Sequence, residues 1–588
     1  MSGAPRDLFA DLPGLDRLDR LSRRVVAVAV VALFGRLLLL GARVSHFDEG
    51  RVGWWTMHFL DTGQFEYRFI IHGPLVQHVN RAVFSVLGAN DFTLRLFVAV
   101  VGAALPLAAL LFRERLREDE VLGVAAFLAA NPLLVYYSRF LRSSVLVAAF
   151  AFVAFGLFVR SIDLRSPWYA HAGVAFVALA FAAKENAAVY LLCWAGAAAL
   201  VVDHRLFRTG DDESGLDWAL ARLPDEDAVA YVREGVWRFL GYVVLGALVF
   251  FAVTLFFYAP RSPDPAAVGF WQGLTNPTLF PELVSRTVDD VTTGYGYWFG
   301  GSADHGGRFD SVIDQYARYL GRSLESLAGY ALPLVVLAVA GFLAERYTRP
   351  RPRMLVLFAG YWGFVSVVGY PLGTDIFGAW IMVNALVPLA IPAGIGLAMV
   401  VRWTRDALHA DAVRFGISVF VLVLIVGQLS LALVGGVYTN ATSDDNELVQ
   451  FAQPADDFRP AMRALEDADT SDEDADVLFV GERLVRTRQT ADDDTVLNPR
   501  QRGIEPLCTP ISDTLPVQWY IEIEGATGTC AVTVENATAI VADQQPTVVV
   551  TEPVMQSALA DELAGYRAST YRLRTSGNEA VFFVRQDR

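Results

Sequence analysis

Long apolar runs broken by short arginine-bearing polar segments make up this chain from residue 25 to 437, and a mixed polar pattern replaces them afterwards. Runs of roughly 17 to 25 apolar residues match a helix crossing a hydrocarbon layer about 30 Å thick. About eleven are legible, at 25–42, 93–112, 121–138, 141–160, 168–183, 187–203, 237–259, 327–345, 354–371, 378–401 and 413–437. The connections "RERLRE", "RSIDLR", "DHRLFR", "ERYTRPRPR" and "RWTR" all carry clustered arginine, so the positive-inside rule assigns them, and the N-terminal segment 1–24, to the cytoplasm. The first run follows "RLDRLSRR" and reads as a retained anchor. The alternate connections then face outward: 43–92, the turn near 138–141, "KEN" at 184–186, 260–326 and 372–377.

An odd number of spans sends the polar tail outward as well. Residues 438–457 read as a linker and 458–588 as a small α/β domain. Within that domain "DVLFVGE", "PVQWYIEI", "TVVVTEP" and "EAVFFVR" are predicted strands, and "RPAMRALEDA" and "QSALADELAGYR" predicted helices. Sequons at Asn440 and Asn536 agree with an outward tail, whereas proline disqualifies Asn276. Cys508 and Cys530 stand 22 residues apart in the tail; a disulfide and two unpaired small hydrophobes both fit, and Cys193 lies in an apolar run. The acidic insert 205–236 contains an amphipathic stretch, "LDWALARL", expected at the cytoplasmic membrane surface. The fold class read from these patterns is a polytopic α-helical membrane protein with a C-terminal extracytoplasmic α/β domain.

Composition narrows the function. A chain 54% hydrophobic and 12% aromatic exceeds what a soluble surface accommodates. Net charge is −15, and of 48 basic residues all are arginine except Lys184. An acidic, lysine-poor chain points to a high-salt, GC-rich organism. No basic stripe stands in any loop or helix, so nucleic acid is not an expected partner.

Candidate chemistry gathers on the outward segments. In "RVSHFDEGRVGWW", 43–55, Asp48 and Glu49 stand side by side just past the first span, followed by Arg51. Asp48 at a helix N-terminus would serve as a cap, which leaves Glu49 unexplained. Arg139 and Arg142 in "YYSRFLRSS", and Lys184 with Glu185, occupy other outward turns. Two carboxylates and three cations at one membrane face suit an attacking hydroxyl and a departing phosphate; snorkelling to lipid headgroups is the plainer reading of the arginines. One lysine in an arginine-rich chain marks a site that needs a point charge. His72 and His78 in "IIHGPLVQH" lack metal-ligand spacing, and His72 fits a turn or a contact to sugar or phosphate. No dedicated metal site is read; a divalent cation is left open as a cofactor. The glycine-rich "GYGYWFGGSADHGGR", 294–308, fits either a sugar-stacking loop or a plain one.

These residues resemble the GT-C superfamily of polytopic glycosyltransferases, which includes protein O-mannosyltransferases and aminoarabinose transferases, and specifically its archaeal flippase-activity-associated branch, linked to N-glycosylation. The resemblance rests on the acidic pair Asp48 and Glu49, on "HGPL" and "LGANDFTLRL" with Arg95, on "YYSRFLR" and "AAKENA", and on "GAWIMVNALVPLAIPAG" with Trp380, Asn384 and Pro388. It extends to "LPVQWYIE" in the tail. It implies a polyprenyl-phosphate sugar as donor and a glycan or protein as acceptor, with Asp48 and Glu49 catalytic. Arg51, His72, Arg139, Arg142, Lys184, Glu185, Trp380 and Asn384 become candidate donor or substrate contacts. The chain departs from the family pattern at Ser143 and Ser144, where an acid often follows the arginine, and at Asn384, where histidine is common. A non-catalytic accessory that binds lipid-linked sugars and assists their translocation is the second class compatible with this face. A solute transporter fits poorly, because the spans are apolar at their centres apart from Arg36 and Asn131-Pro132 and show no internal repeat.

Overall fold

In the computed structural model, which describes residues 18–206, 226–296, 312–372, 374, 376–466, 474–485 and 508–586, every apolar run lies on helix. In order these are α1 (Arg20–Leu37), α2 (Phe47–Thr62), α3 (Pro74–Leu87), α4 (Asp91–Ala104, continued as a tighter turn to Phe112), α5 (Glu118–Ala130), α6 (Pro132–Tyr137), α7 (Ser143–Leu164), α8 (Pro167–Ala183) and α9 (Ala187–Leu206). Long helices follow at Glu226–Tyr258, Val312–Thr348, Met354–Gly369, Val383–Ala407 and Ala412–Ala432, with short ones at Phe270–Thr275 and Phe280–Gly296. Among the described residues seven helices are long and apolar enough to cross a membrane, and 167–183 and 187–203 are shorter apolar helices. The run 121–138 is broken because Pro132 offers no amide and Asn131 stays extended, its side chain capping α6 through the Leu134 amide at 3.2 Å. "LDWALARL" and residues 297–308 of the glycine-rich run lie outside the described residues.

Val383–Ala407 is the hub, buried without interruption from Val383 to Gly396. Neighbouring backbones reach it where side chains are missing: a Cβ on Gly394 would sit 2.6 Å from the Val124 amide nitrogen, and one on Gly396 2.2 Å from the Leu337 carbonyl. At the arginine-rich end, buried Glu120 and Glu345 accept from one guanidinium, Arg353, at 2.6 and 2.7 Å, and Arg402 binds Asp119 at 2.6 Å. Four helix ends are thereby fastened together, with each buried carboxylate paired as burial requires.

At the opposite end sits the C-terminal domain, a five-stranded sheet in the order β2-β1-β3-β5-β4. The strands are β1 (Val477–Val480), β2 (Gly528–Ala531), β3 (Val548–Thr551), β4 (Tyr566–Arg574) and β5 (Gly577–Arg585). β1 runs parallel to β2 and β3, and β5 antiparallel to β3 and β4. Cys508 and Cys530 are disulfide-bonded, and Cys193 is free and buried. "DVLFVGE", "TVVVTEP" and "EAVFFVR" carry strands as expected. "PVQWYIEI" does not: Val517–Ile523 is a helix, with Val517 through Ile521 all buried. A short run buried at every successive position has no period to separate helix from strand. "QSALADELAGYR" is helical only over Gln556–Leu559 before the chain turns into β4.

Candidate functional site

The link from α1 to α2 shows how the adjacent carboxylates are divided. His46, with extended backbone, is the N-cap of α2, and its Nδ1 accepts the Asp48 amide at 3.0 Å. Glu49, at the third helical position, reaches back to accept the His46 amide at 2.9 Å and closes a capping box. The capping role expected of Asp48 therefore belongs to His46 and Glu49. Glu49 also accepts from Arg95 Nε at 2.8 Å and Nη2 at 2.9 Å, from Arg43 at 3.2 Å and from the Leu141 amide at 2.8 Å. Its roughly four lone-pair positions are filled.

Neighbouring helical residues point about 100° apart, and Asp48 faces a different set of groups. Its Oδ2 lies 2.8 Å from Arg142 Nη1 and 3.6 Å from His46 Nδ1. The Arg142 guanidinium in turn lies 3.8 Å over the Trp380 ring. His72 is buried on the same side, its Nδ1 2.9 Å from Ser143 Oγ. The Nε2 atoms of His46 and His72 are both buried without a hydrogen-bond partner. Gly73 lets this segment lie against α8, its amide donating to the Ala183 carbonyl at 2.8 Å, which brings His72 beside the Lys184 turn.

Electrostatics follow from burial. Burial pushes the His46 imidazole down to about 4 against the pull of Asp48, and pushes His72 down to about 3, with Arg142 adding to the effect. Burial works to raise Asp48, but His46, Arg142, His72 and Arg51 outweigh it and hold its carboxyl below the usual range. Since both histidines are neutral at pH 7, Arg142 is the lasting cation at contact distance. Glu49, also opposed by burial, is held far down by Arg95 and Arg43.

Asp48, Arg142, His72 and Trp380 thus come together, with Arg51 and Lys184 close enough for their charges to act on them. Other predicted residues lie apart from that cluster. Arg139 donates at 3.2 Å to the carbonyls of Gly35, Arg36 and Leu39, and to that of Leu38, capping the C-terminus of α1 beneath Tyr438. Glu185 is enclosed by phenols, accepting from Tyr67 and, at 3.5 Å, from Tyr258; burial raises its carboxyl. Asn384 accepts from Tyr190. Among the described residues no three or more His, Cys, Asp or Glu are gathered as a metal-binding set.

Four residues at this end escaped the sequence reading as site residues. Arg95 and Asp91 lie one turn apart on α4, and a charge inside an apolar run was the available signal for Arg95. Arg43 stacks at 3.2 Å on Phe140. Arg574 comes from β4 to lie 4.9 Å over Phe47, a contact no local pattern announces. The C-terminal domain presses directly on α2: a Cβ on Gly50 would meet Pro516 at 2.6 Å, and one on Gly53 would meet Trp519 at 2.7 Å. Two cavities flank the contact. One, about 270 Å³, is lined by Asp91, Phe92, Arg459, Arg463, Tyr520 and Glu524; the other, about 200 Å³, by Arg43, Arg139, Tyr136, Tyr438 and Asp457 among others. Asp48 lines neither.

Residues 71–210 match the family of dolichyl-phosphate-mannose-protein mannosyltransferases, and residues 458–585 match the Agl23 flippase-associated protein C-terminal domain. No curated protein matches the chain significantly. The crystal structure of ArnT from Cupriavidus metallidurans in the apo state is similar over 96% of this chain and 98% of that one, at 15% identity and a TM-score of 0.54. The same protein bound to undecaprenyl phosphate gives 0.52 at equal identity and coverage. At such identity the likeness is one of fold.

Proposed function

We propose that the chain is a GT-C-type membrane glycosyltransferase that transfers a sugar from a polyprenyl-phosphate donor to an acceptor at the outer membrane face, with Asp48 as general base; the mannosyltransferase-family match over 71–210, the Agl23-type match over 458–585 and the ArnT-like fold support this reading. The observation that carries this reading is the division of labour between the carboxylates: Glu49 has its acceptor sites filled, whereas Asp48 pairs with a single arginine, itself stacked on Trp380, beside the His46 imidazole. The ArnT structure with undecaprenyl phosphate supports the donor class.

In this mechanism the acceptor's O–H gives its proton to Asp48 as the oxygen attacks the anomeric carbon. The bond from that carbon to the phosphate oxygen breaks, and the phosphate leaves with the electron pair. Arg142 and Lys184 stabilise its growing charge, and the buried Nε2 of His72, which has no hydrogen-bond partner, can hydrogen-bond a substrate hydroxyl. Trp380 holds the Arg142 plane. Glu49 acts on substrate only through the helix it anchors, and Arg139 through α1. The N-terminus is cytoplasmic and the tail domain outward, as the arginine-rich end of the bundle supports.

The test is to incubate purified protein in lipid with a panel of polyprenyl-phosphate sugars and follow donor consumption beside Asp48→Asn. Consumption that vanishes in the variant is the expected result, a loss of at least about 10³-fold for a missing base. Saturable donor binding without turnover under any acceptor would favour the accessory reading, to which Ser143, standing where the family often has an acid, also lends weight.

A further inference from the structure

We infer that Asp91 is the positioning residue through which the C-terminal domain sets the orientation of the Asp48 helix, so that the site is completed by that domain in cis. The inference rests on the proposed role of Asp48.

The geometry is a knot around one buried carboxylate. Asp91 Oδ1 accepts from Ser45 Oγ at 2.7 Å and from Trp519 Nε1 at 3.1 Å, and Oδ2 accepts from Tyr520 OH at 3.0 Å and Arg459 Nη1 at 3.1 Å. The same Tyr520 oxygen accepts the Ser45 amide at 2.8 Å. Ser45 immediately precedes His46, the cap of the Asp48 helix, so its hydroxyl and its amide are both fixed by groups of the knot. Three of the Asp91 donors, Arg459, Trp519 and Tyr520, belong to the C-terminal domain. Gln453, in the segment leading into that domain, adds a bond to the Val44 carbonyl at 3.2 Å.

The arrangement has a second level. Arg95 stands four residues after Asp91, on the same face of α4, and holds Glu49 by two bonds. One face of one helix therefore grips the entry to α2 at two successive points, Ser45 through Asp91 and Glu49 through Arg95. Asp48 lies between these points in sequence and is left to face the opposite side. Arg95 would hold α2 without the C-terminal domain. The Asp91 grip consists mainly of that domain's side chains, and Gly50 and Gly53 admit the same segment, Pro516 to Trp519, against the back of α2. Removing the charge of Asp91 leaves Trp519, Tyr520 and Arg459 facing a weaker acceptor and frees the cap of the helix that bears the base.

The experiment compares wild type with Asp91→Asn and Tyr520→Phe in the full-length protein in lipid, reading steady-state transfer and amide hydrogen exchange together. Both variants keep shape and lose one element of the knot. The expected result is a fall in kcat of at least about 30-fold with the donor KM unchanged within about twofold, and faster exchange confined to residues 45–52. Unchanged kcat and exchange in both variants would overturn the inference. So would exchange rising throughout the bundle, which would make Asp91 a brace for the whole fold. If Asp91→Asn does not fold, Tyr520→Phe decides. Should the wild type turn over no donor at all, the proposed function fails by itself, and the exchange data still show whether Asp91 holds the helix.

Discussion

Two adjacent carboxylates, one fully buried and one partly, have opposite fates because hydrogen-bond donors reach only Glu49 in number. Glu49 is met by two guanidinium groups and two backbone amides; Asp48 is met by Arg142, with His46 at longer range. Glu49→Gln leaves Arg95 buried with no anionic partner, and the expected cost is about 3 kcal/mol, the scale for breaking one side of a buried pair. Asp48→Asn, losing one partly buried contact, should cost about 1 kcal/mol. Thermal unfolding of both variants in lipid nanodiscs checks this, and an Asp48→Asn loss as large as that of Glu49→Gln would mean that Asp48 too is structural. The sequence displayed the pair but not its division, because the donors Arg95 and Leu141 lie 46 and 92 residues away. Arg139 and Arg142 illustrate the same limit. They are three residues apart on one turn, yet the first caps α1 and the second faces Asp48, since the direction of each depends on which helix end packs above it.

At the level of elements, helix positions were legible because each span is long, apolar and bounded by arginine, proline or glycine. The docking segment 516–523 was not, because Val517 through Ile521 are all buried and leave no alternation of buried and exposed positions to read. Glycines on α2 permit that docking: at Gly53 the Trp519 ring occupies the space a side chain would take. Gly53→Leu should therefore separate the segment 516–523 from α2 while leaving the bundle intact, since overpacking a filled contact costs about 1–3 kcal/mol and the bundle's hub lies elsewhere. Limited proteolysis reads the outcome, with accelerated release of a C-terminal fragment expected. Wild-type protease resistance in the variant would show that the Gly53–Trp519 contact is not what holds the domain.

Across the whole molecule, burial of neutral imidazoles makes stability depend on pH over a range where Asp48 and Glu49 are silent, and Glu185, raised by burial, acts in the opposite sense. His46 is pushed down to about 4, and His72 and His78 to about 3, chiefly by burial, against about 6.5 in an unfolded chain. Between these limits the unfolded state binds protons that the folded state refuses. The stabilisation is thus complete above pH 6.5 and is lost as pH falls, by up to about 1.4 kcal/mol per pH unit for each histidine. Asp48 and Glu49, held below the usual carboxylate range by their cations, stay ionised through pH 5–6.5 and contribute no slope there. The melting temperature should be flat from pH 8 to 7 and fall steadily from 6.5 to 5. His72→Asn should shallow that fall by one histidine's share while leaving the plateau above pH 7 flat. Equal slopes in wild type and variant would mean that His72 is reached by protons in the folded protein, and so is open to solvent or substrate from the Asp48 side.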